Sequence, residues 1–190
     1  MRLKIVSATL IAMLCLSIAA TAQTRQIDPQ RSTMTILVFK SGVFSAFGHN
    51  HEITAPIQEG SFDEAQPSVR LTVDARQLRV ADQDVSDKDR AEIQETMLGP
   101  KVLDSANYPQ ITFQSTHIEP AGAGKWVVDG PLTVRGQTRP VKVQVEGSQG
   151  HYRGSAEIRQ KDFGIVPVSA AGGAVKTKGE LKVEFDIVAK

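Results

Sequence analysis

The sequence predicts an all-β protein: eight antiparallel strands closed into a barrel, with one short surface helix. Three observations carry this. Segments through the middle and end of the chain alternate apolar and polar residues with a period of two, most cleanly in Leu181-Lys182-Val183-Glu184-Phe185-Asp186-Ile187. Successive strand side chains point to opposite faces, so Leu181, Val183, Phe185 and Ile187 line a dry side, and Lys182, Glu184 and Asp186 a wet one. Hairpin signals separate several such segments. Finally, one-sided strands with few helices must close on themselves or stack to bury their dry face.

Taken in order, Met1 to Ala22 lies outside the fold. Arg2 and Lys4 precede an apolar run from Leu10 to Ala19, and Ala20-Thr21-Ala22 supplies small residues before Gln23. This is the pattern of a secretory signal peptide, cleaved after Ala22, which predicts a periplasmic or secreted protein. A membrane anchor fits less well, because the uncharged stretch from Ile5 to Ala20 is shorter than the roughly 20 residues of a spanning helix. No spanning segment is expected after cleavage. A lipid-modified Cys15 would need a small residue before it, where the chain has Leu14. Residues 23–190 then form one domain, long enough to bury a substantial core.

The leader removes the chain's one cysteine. The remainder therefore has no disulfide, thiol nucleophile or thiolate metal ligand. Its 20 basic and 21 acidic residues nearly cancel and are mixed along the chain. A nucleic-acid partner is not expected, since that needs a basic face with stacking aromatics.

Alternation and turn signals give eight strands: Thr33 to Lys40, Glu52 to Ile57, Ser68 to Asp74, Gln110 to Ile118, Lys125 to Val134, Arg139 to Val145, Tyr152 to Arg159 and Leu181 to Ala189. Ala121 to Gly124, Arg135 to Thr138 and Gly147 to Gly150 read as hairpin turns, so the later strands form a meander. Val141, Val143 and Val145 share one face, as do Tyr152, Gly154, Ala156 and Ile158. Between Asp84 and Leu98 charges dominate over a narrow stripe of Ile93, Met97 and Leu98. Ser86 caps that helix and Gly99-Pro100 stops it.

A barrel of this size is either filled by side chains or holds one small ligand. Several inward positions are small or moderate, among them Gly154, Ala156 and the valines, and aromatics make up 5% of the chain. A hollow interior is the expectation.

Three stretches then carry a resemblance: Leu103 to Ser115 with Tyr108-Pro109, Gly130 to Val141 with Arg135-Gly136-Gln137-Thr138, and Lys161-Asp162-Phe163-Gly164-Ile165. In that order and spacing they resemble the YceI-like family over nearly all of the chain beyond the leader. The resemblance implies a periplasmic, lipocalin-like barrel enclosing a polyisoprenoid or similar amphiphilic tail, with no further cofactor. At about 0.8 kcal/mol per buried methylene, one five-carbon unit is worth roughly 4 kcal/mol, so such a tail needs a membrane or a hollow protein. Where many members carry an arginine two residues before Asp-Phe-Gly, this chain has Gln160.

Gly48-His49-Asn50-His51 is the one segment suited to chemistry. In an extended strand His49 and His51 share a face about 6 to 7 Å apart and could hold a transition metal, with His117, His151 or Asp162 as third ligand. Alternatively they satisfy backbone groups at the barrel mouth or contact a ligand headgroup. His117 shares parity with Ile111 and Phe113 and is expected inside. The candidate ligand-binding residues are His49, His51, Phe113, His117, Lys161, Asp162 and Phe163.

The leading function is therefore a non-enzymatic carrier of an amphiphilic lipid or isoprenoid. A metal-binding protein or metal-dependent enzyme built on His49 and His51 is the alternative, and a filled barrel acting through its surface is a third. No Gly-x-Ser-x-Gly elbow or cysteine nucleophile supports a hydrolase. An exposed edge or face leaves a homodimer open.

Overall fold

The computed structural model describes residues 24–41, 50–170 and 175–190. The leader and the segment holding His49 lie outside them. The described strands are β1 (Thr24–Gln26), β2 (Thr33–Ser41), β3 (His51–Thr54), β4 (Ile57–Asp63), β5 (Ser68–Asp74), β6 (Arg79–Val80), β7 (Gln110–Gln114), β8 (His117–Gly122), β9 (Lys125–Val134), β10 (Gln137–Ser148), β11 (His151–Arg159), β12 (Ser169–Ala170) and β13 (Val175–Val188). One α-helix, α1 (Asp87–Leu98), lies between β6 and β7.

All the described strands belong to one curled antiparallel sheet, in the order β1-β4-β5-β7-β9-β10-β11-β13-β2-β3-β6, with β8 beside β9 and β12 beside β13. Among the described residues the all-β class, the antiparallel pairing and the single α-helix match the sequence reading; the count of eight does not. Two expected strands are each divided. Glu52 to Ile57 is cut at Ala55-Pro56, where proline has no N–H for a ladder. On either side of the cut β3 pairs with β2 and β6, while β4 pairs with β1 and β5. Gln110 to Ile118 is cut at Ser115-Thr116, whose N–H groups turn to the carbonyls of Val69 and Asp129. The very short β1, β6 and β12 carry no alternation by which a sequence could announce them.

Antiparallel hairpins dominate the middle of the sheet. Arg135 and Gly136 link β9 to β10 with φ of 50° and 69°. Both values are positive, as a two-residue hairpin loop matching the strand twist requires. In β11 and β13 the register sets Gly154 opposite Phe185, Ala156 opposite Val183 and Ile158 opposite Leu181. At the other margin Ile27 bridges Ala189, and Asp28 N–H donates to the Val188 carbonyl.

Helix α1 starts where Ser86 Oγ accepts from Asp89 N–H, satisfying one of the orphan donors of the first turn. Met97 is buried, and Ile93 and Leu98 pack on the same core. That core includes Val73, Leu78, Leu103, Phe163 and Ile165 and closes one end of the sheet. A second cluster of Ile27, Ile57, Phe62, Ile187 and Ala189 packs with Tyr152 and Phe185.

Candidate functional site: an apolar cavity with one wet rim

Inside the curl lies a cavity of about 490 Å³. Each long strand contributes its dry face. Met34 and Ile36 come from β2, Leu71 and Val73 from β5, Ile111 and Phe113 from β7, and Leu132 and Val134 from β9. Val141, Val143 and Val145 enter from β10, Tyr152, Ala156 and Ile158 from β11, and Leu181, Val183, Phe185 and Ile187 from β13. Cavities of ~300 to 1,000 Å³ with mostly apolar walls and a few polar groups are the usual form of a small-molecule site.

The two ends differ. At one, the lining residues Leu78, Leu103, Gln160, Phe163 and Ile165 are all buried, Leu78 to 1% and Phe163 to 2% exposure. Phe163 belongs to the short 3-10 helix Gln160–Phe163, which turns off at Gly164. Arg135 fastens this floor by donating to the carbonyls of Gly164 at 2.8 Å and Pro100 at 2.7 Å. At the other end Glu64, Pro67, Ser68, Ser148 and Gln149 line the cavity and are exposed. This end is the rim.

Rim chemistry centres on Tyr152. Its O–H donates to Glu64 Oε1 at 2.6 Å, and its ring meets Phe62 and Trp126 edge-on at centroid distances of 5.2 and 5.8 Å. Burial, then the hydrogen bond to Glu64 and its charge, push the Tyr152 phenol up to about 12. Arg25 Nη1 stands 3.7 Å from Glu64 and its guanidinium lies over the Phe62 ring. Asp63 is buried and accepts at 2.8 Å from both Ala65 N–H and Gln66 N–H, fixing the β4-to-β5 turn. The rim therefore pairs aromatic faces with carboxylate and amide acceptors, a boundary suited to an amphiphile.

Of the candidate residues, Phe113 and Phe163 line the cavity. His51 lies elsewhere: its Nδ1–H donates to Asp82 Oδ2 at 2.7 Å, and Asp82 Oδ1 accepts Glu52 N–H at 2.7 Å. An ionised carboxylate only accepts, which assigns the proton to Nδ1. His117 is exposed, whereas its neighbour Ile118 lines the cavity. The expected inward His117 is thus corrected, because the Ser115-Thr116 break shifts strand parity by one. Lys161 is exposed, and Asp162 pairs with Arg159 Nε at 3.0 Å. His151 Nε2 meets Asp186 Oδ1 at 2.5 Å. Among the described residues no three metal-ligating side chains gather into one group. His49 is outside those residues.

Sequence reading missed Glu64, Gln149, Arg25 and Trp126 as rim residues. No local pattern marks Glu64 and Gln149, which lie in turns, or Arg25 on the short β1, since these meet only through the fold, whereas Trp126 shares the parity of Val128, Leu132 and Val134 on β9. Tyr152 was legible as an inward residue by its parity.

Comparison with known proteins agrees with this architecture. The chain is 30% identical over 178 residues to a UPF0312 protein of Shewanella oneidensis, covering 87% of this chain and 88% of the relative. A UPF0312 protein of Vibrio cholerae serotype O1 is 30% identical over 126 residues, 60% of this chain, and the match spans 62% of that relative's length. Among solved structures, Burkholderia cenocepacia BcnA superposes with a TM-score of 0.63 at 22% identity, over 86% of this chain and 99% of that one. A Campylobacter jejuni YceI protein gives 0.52 at 14% identity, over 73% and 81%. Both structures share the fold. The family model for the YceI-like domain matches residues 26–189, which is most of the chain, and this protein accordingly belongs to the YceI-like family.

Proposed function

We propose that this protein is a non-enzymatic carrier or sequestering protein, periplasmic or secreted, that takes the long apolar tail of a polyisoprenoid-like or other amphiphilic lipid into its interior. The observation that carries this reading is the apolar cavity of about 490 Å³, floored by buried Phe163 and Leu78 and open at the Glu64 and Gln149 rim. Walls of Val, Leu, Ile and Phe gain ~0.8 kcal/mol for each methylene they remove from water. Such affinity is not tied to one reaction, which suits a carrier.

Eight closed staves are part of the proposal. The run 51–63, bent at Ala55-Pro56, joins β2 through its first half and β5 through its second, so it can serve as one shared stave. Strands β5, β7, β9, β10, β11, β13 and β2 supply the other seven.

Native mass spectrometry of the mature protein from its own compartment, before and after denaturation, tests this function. An extra mass of several hundred daltons, released on unfolding and soluble in organic solvent, supports it. A transition-metal mass in its place, lost on His51→Ala substitution, would move the function to the histidines.

A further inference from the structure

Gln160 is the polar group on an otherwise apolar floor. It follows Ile158 in the inward parity of β11, lines the cavity and is 6% exposed. Its Nε2 donates to the Lys178 carbonyl at 2.8 Å. Only the amide nitrogen can donate, so this bond fixes which way the amide points. Among the described residues no donor reaches Oε1. Gln160 lines the cavity together with Leu78, Leu103, Phe163 and Ile165, side chains with nothing to donate.

A guest that fills the floor must supply a donor or leave this acceptor unmet beneath it, which is costly. The rim already has its own acceptors, Glu64, Ser148 and Gln149, in contact with water. From Tyr152 at the rim to Gln160 at the floor, eight residues of strand span roughly 26 Å at about 3.3 Å per residue. With a barrel tilt of about 40°, the depth is on the order of 20 Å, the length of a sixteen-carbon chain.

We propose that Gln160 Oε1 accepts a hydrogen bond from a hydroxyl or N–H group on the buried end of the guest, so that the protein selects chains that are polar at both ends. This rests on the carrier reading and sharpens it. A floor of hydrocarbon alone would accept a plain chain and penalise a terminal hydroxyl, which would lose its water without a partner. With Gln160 in place the terminal hydroxyl exchanges water for a preset acceptor, and the chain's length decides whether it arrives there.

The test uses two guests whose bulky sugar must remain at the rim, hexadecyl β-glucoside and its 16-hydroxy counterpart, titrated below their aggregation thresholds by calorimetry. Wild type is expected to bind the hydroxylated guest at least as tightly as the plain one. Gln160→Met should shift the ratio of the two dissociation constants about tenfold against the hydroxyl. Saturable one-to-one binding of the plain guest by the variant reports that its cavity has formed. Should Gln160→Met fail to fold, wild type alone decides with the 16-methoxy guest, which keeps the oxygen and removes the donor. An approximately tenfold weaker methoxy guest supports the inference. Plain and hydroxylated guests that both bind, with the same ratio in wild type and variant, or a methoxy guest equal to the hydroxylated one, overturn it and leave the carrier reading standing. If wild type binds none of the guests, the carrier reading falls and this inference with it.

Discussion

Tyr152 and Glu64, 88 residues apart in the chain, are joined by a 2.6 Å hydrogen bond from phenol to carboxylate at the cavity rim. This single contact ties the start of β11 to the turn after β4 and holds a large aromatic ring over the opening.

The contact has a pH signature. Burial and Glu64 raise the Tyr152 phenol from its ordinary value of 10 to about 12. An acid with a raised folded pKa leaves stability untouched below its unfolded value, near 10, and removes it progressively as pH climbs toward 12. In a Tyr108→Phe background, where Tyr152 is the remaining tyrosine, ultraviolet titration should place its ionisation near 12. Adding Glu64→Gln should lower that value. Ionisation near 10 with and without Glu64 would contradict the rim geometry.

A hollow interior and a filled one respond oppositely to a larger side chain at Ala156, which lines the cavity and faces Val183 and Val143 across the sheet. In a filled core Ala156→Phe would cost about 1 to 3 kcal/mol through overpacking. In the cavity described here the ring enters guest space. Thermal denaturation should show a shift of only a few degrees, while affinity for a long-chain guest falls at least tenfold. A large loss of stability with unchanged guest affinity would argue for a filled barrel.

Gly154 is the opposite case. A Cβ there would lie 2.2 Å from the Gln144 carbonyl oxygen and 2.4 Å from the Phe185 ring. The backbone oxygen cannot step aside as a flexible side chain could. Gly154→Ala should therefore destabilise by about 2 kcal/mol in urea titration. Phe185→Leu should recover only the part of this due to the ring.

Arg135 links the β9-to-β10 turn to the floor through its bonds to Gly164 and Pro100. Arg135→Ala removes both and keeps a side chain in the left-handed region, whereas Arg135→Gly removes both but relieves the backbone. We expect urea midpoints in the order wild type, Arg135→Gly, Arg135→Ala, with the alanine variant about 1 to 2 kcal/mol less stable than wild type.

Much of the wall was legible in the sequence because strand parity is a local property. Val141 to Val145, Tyr152 to Ile158 and Leu181 to Ile187 alternate without interruption, and each set faces the cavity as its pattern requires. The helix was equally plain, since Ser86 and Gly99 mark its ends chemically. Legibility failed at two interruptions. Ser115-Thr116 shifted parity and turned His117 outward, and Ala55-Pro56 divided a strand that changes partners. The rim was hidden for another reason. Glu64, Gln149 and Trp126 come from separate turns and strands, and only the curl of the sheet brings them around one opening. Asp82 was equally unmarked as the partner of His51 from 31 residues away.

Trp126 offers the most direct measurement. It is the chain's one tryptophan, it lines the cavity, and it packs against Tyr152 at the rim. Delipidated protein titrated with a long-chain neutral amphiphile should show a saturable change in Trp126 emission at one guest per chain, abolished by Ala156→Phe. Emission that stays constant while native mass spectrometry finds no guest bound would contradict the claim that this cavity encloses an apolar tail.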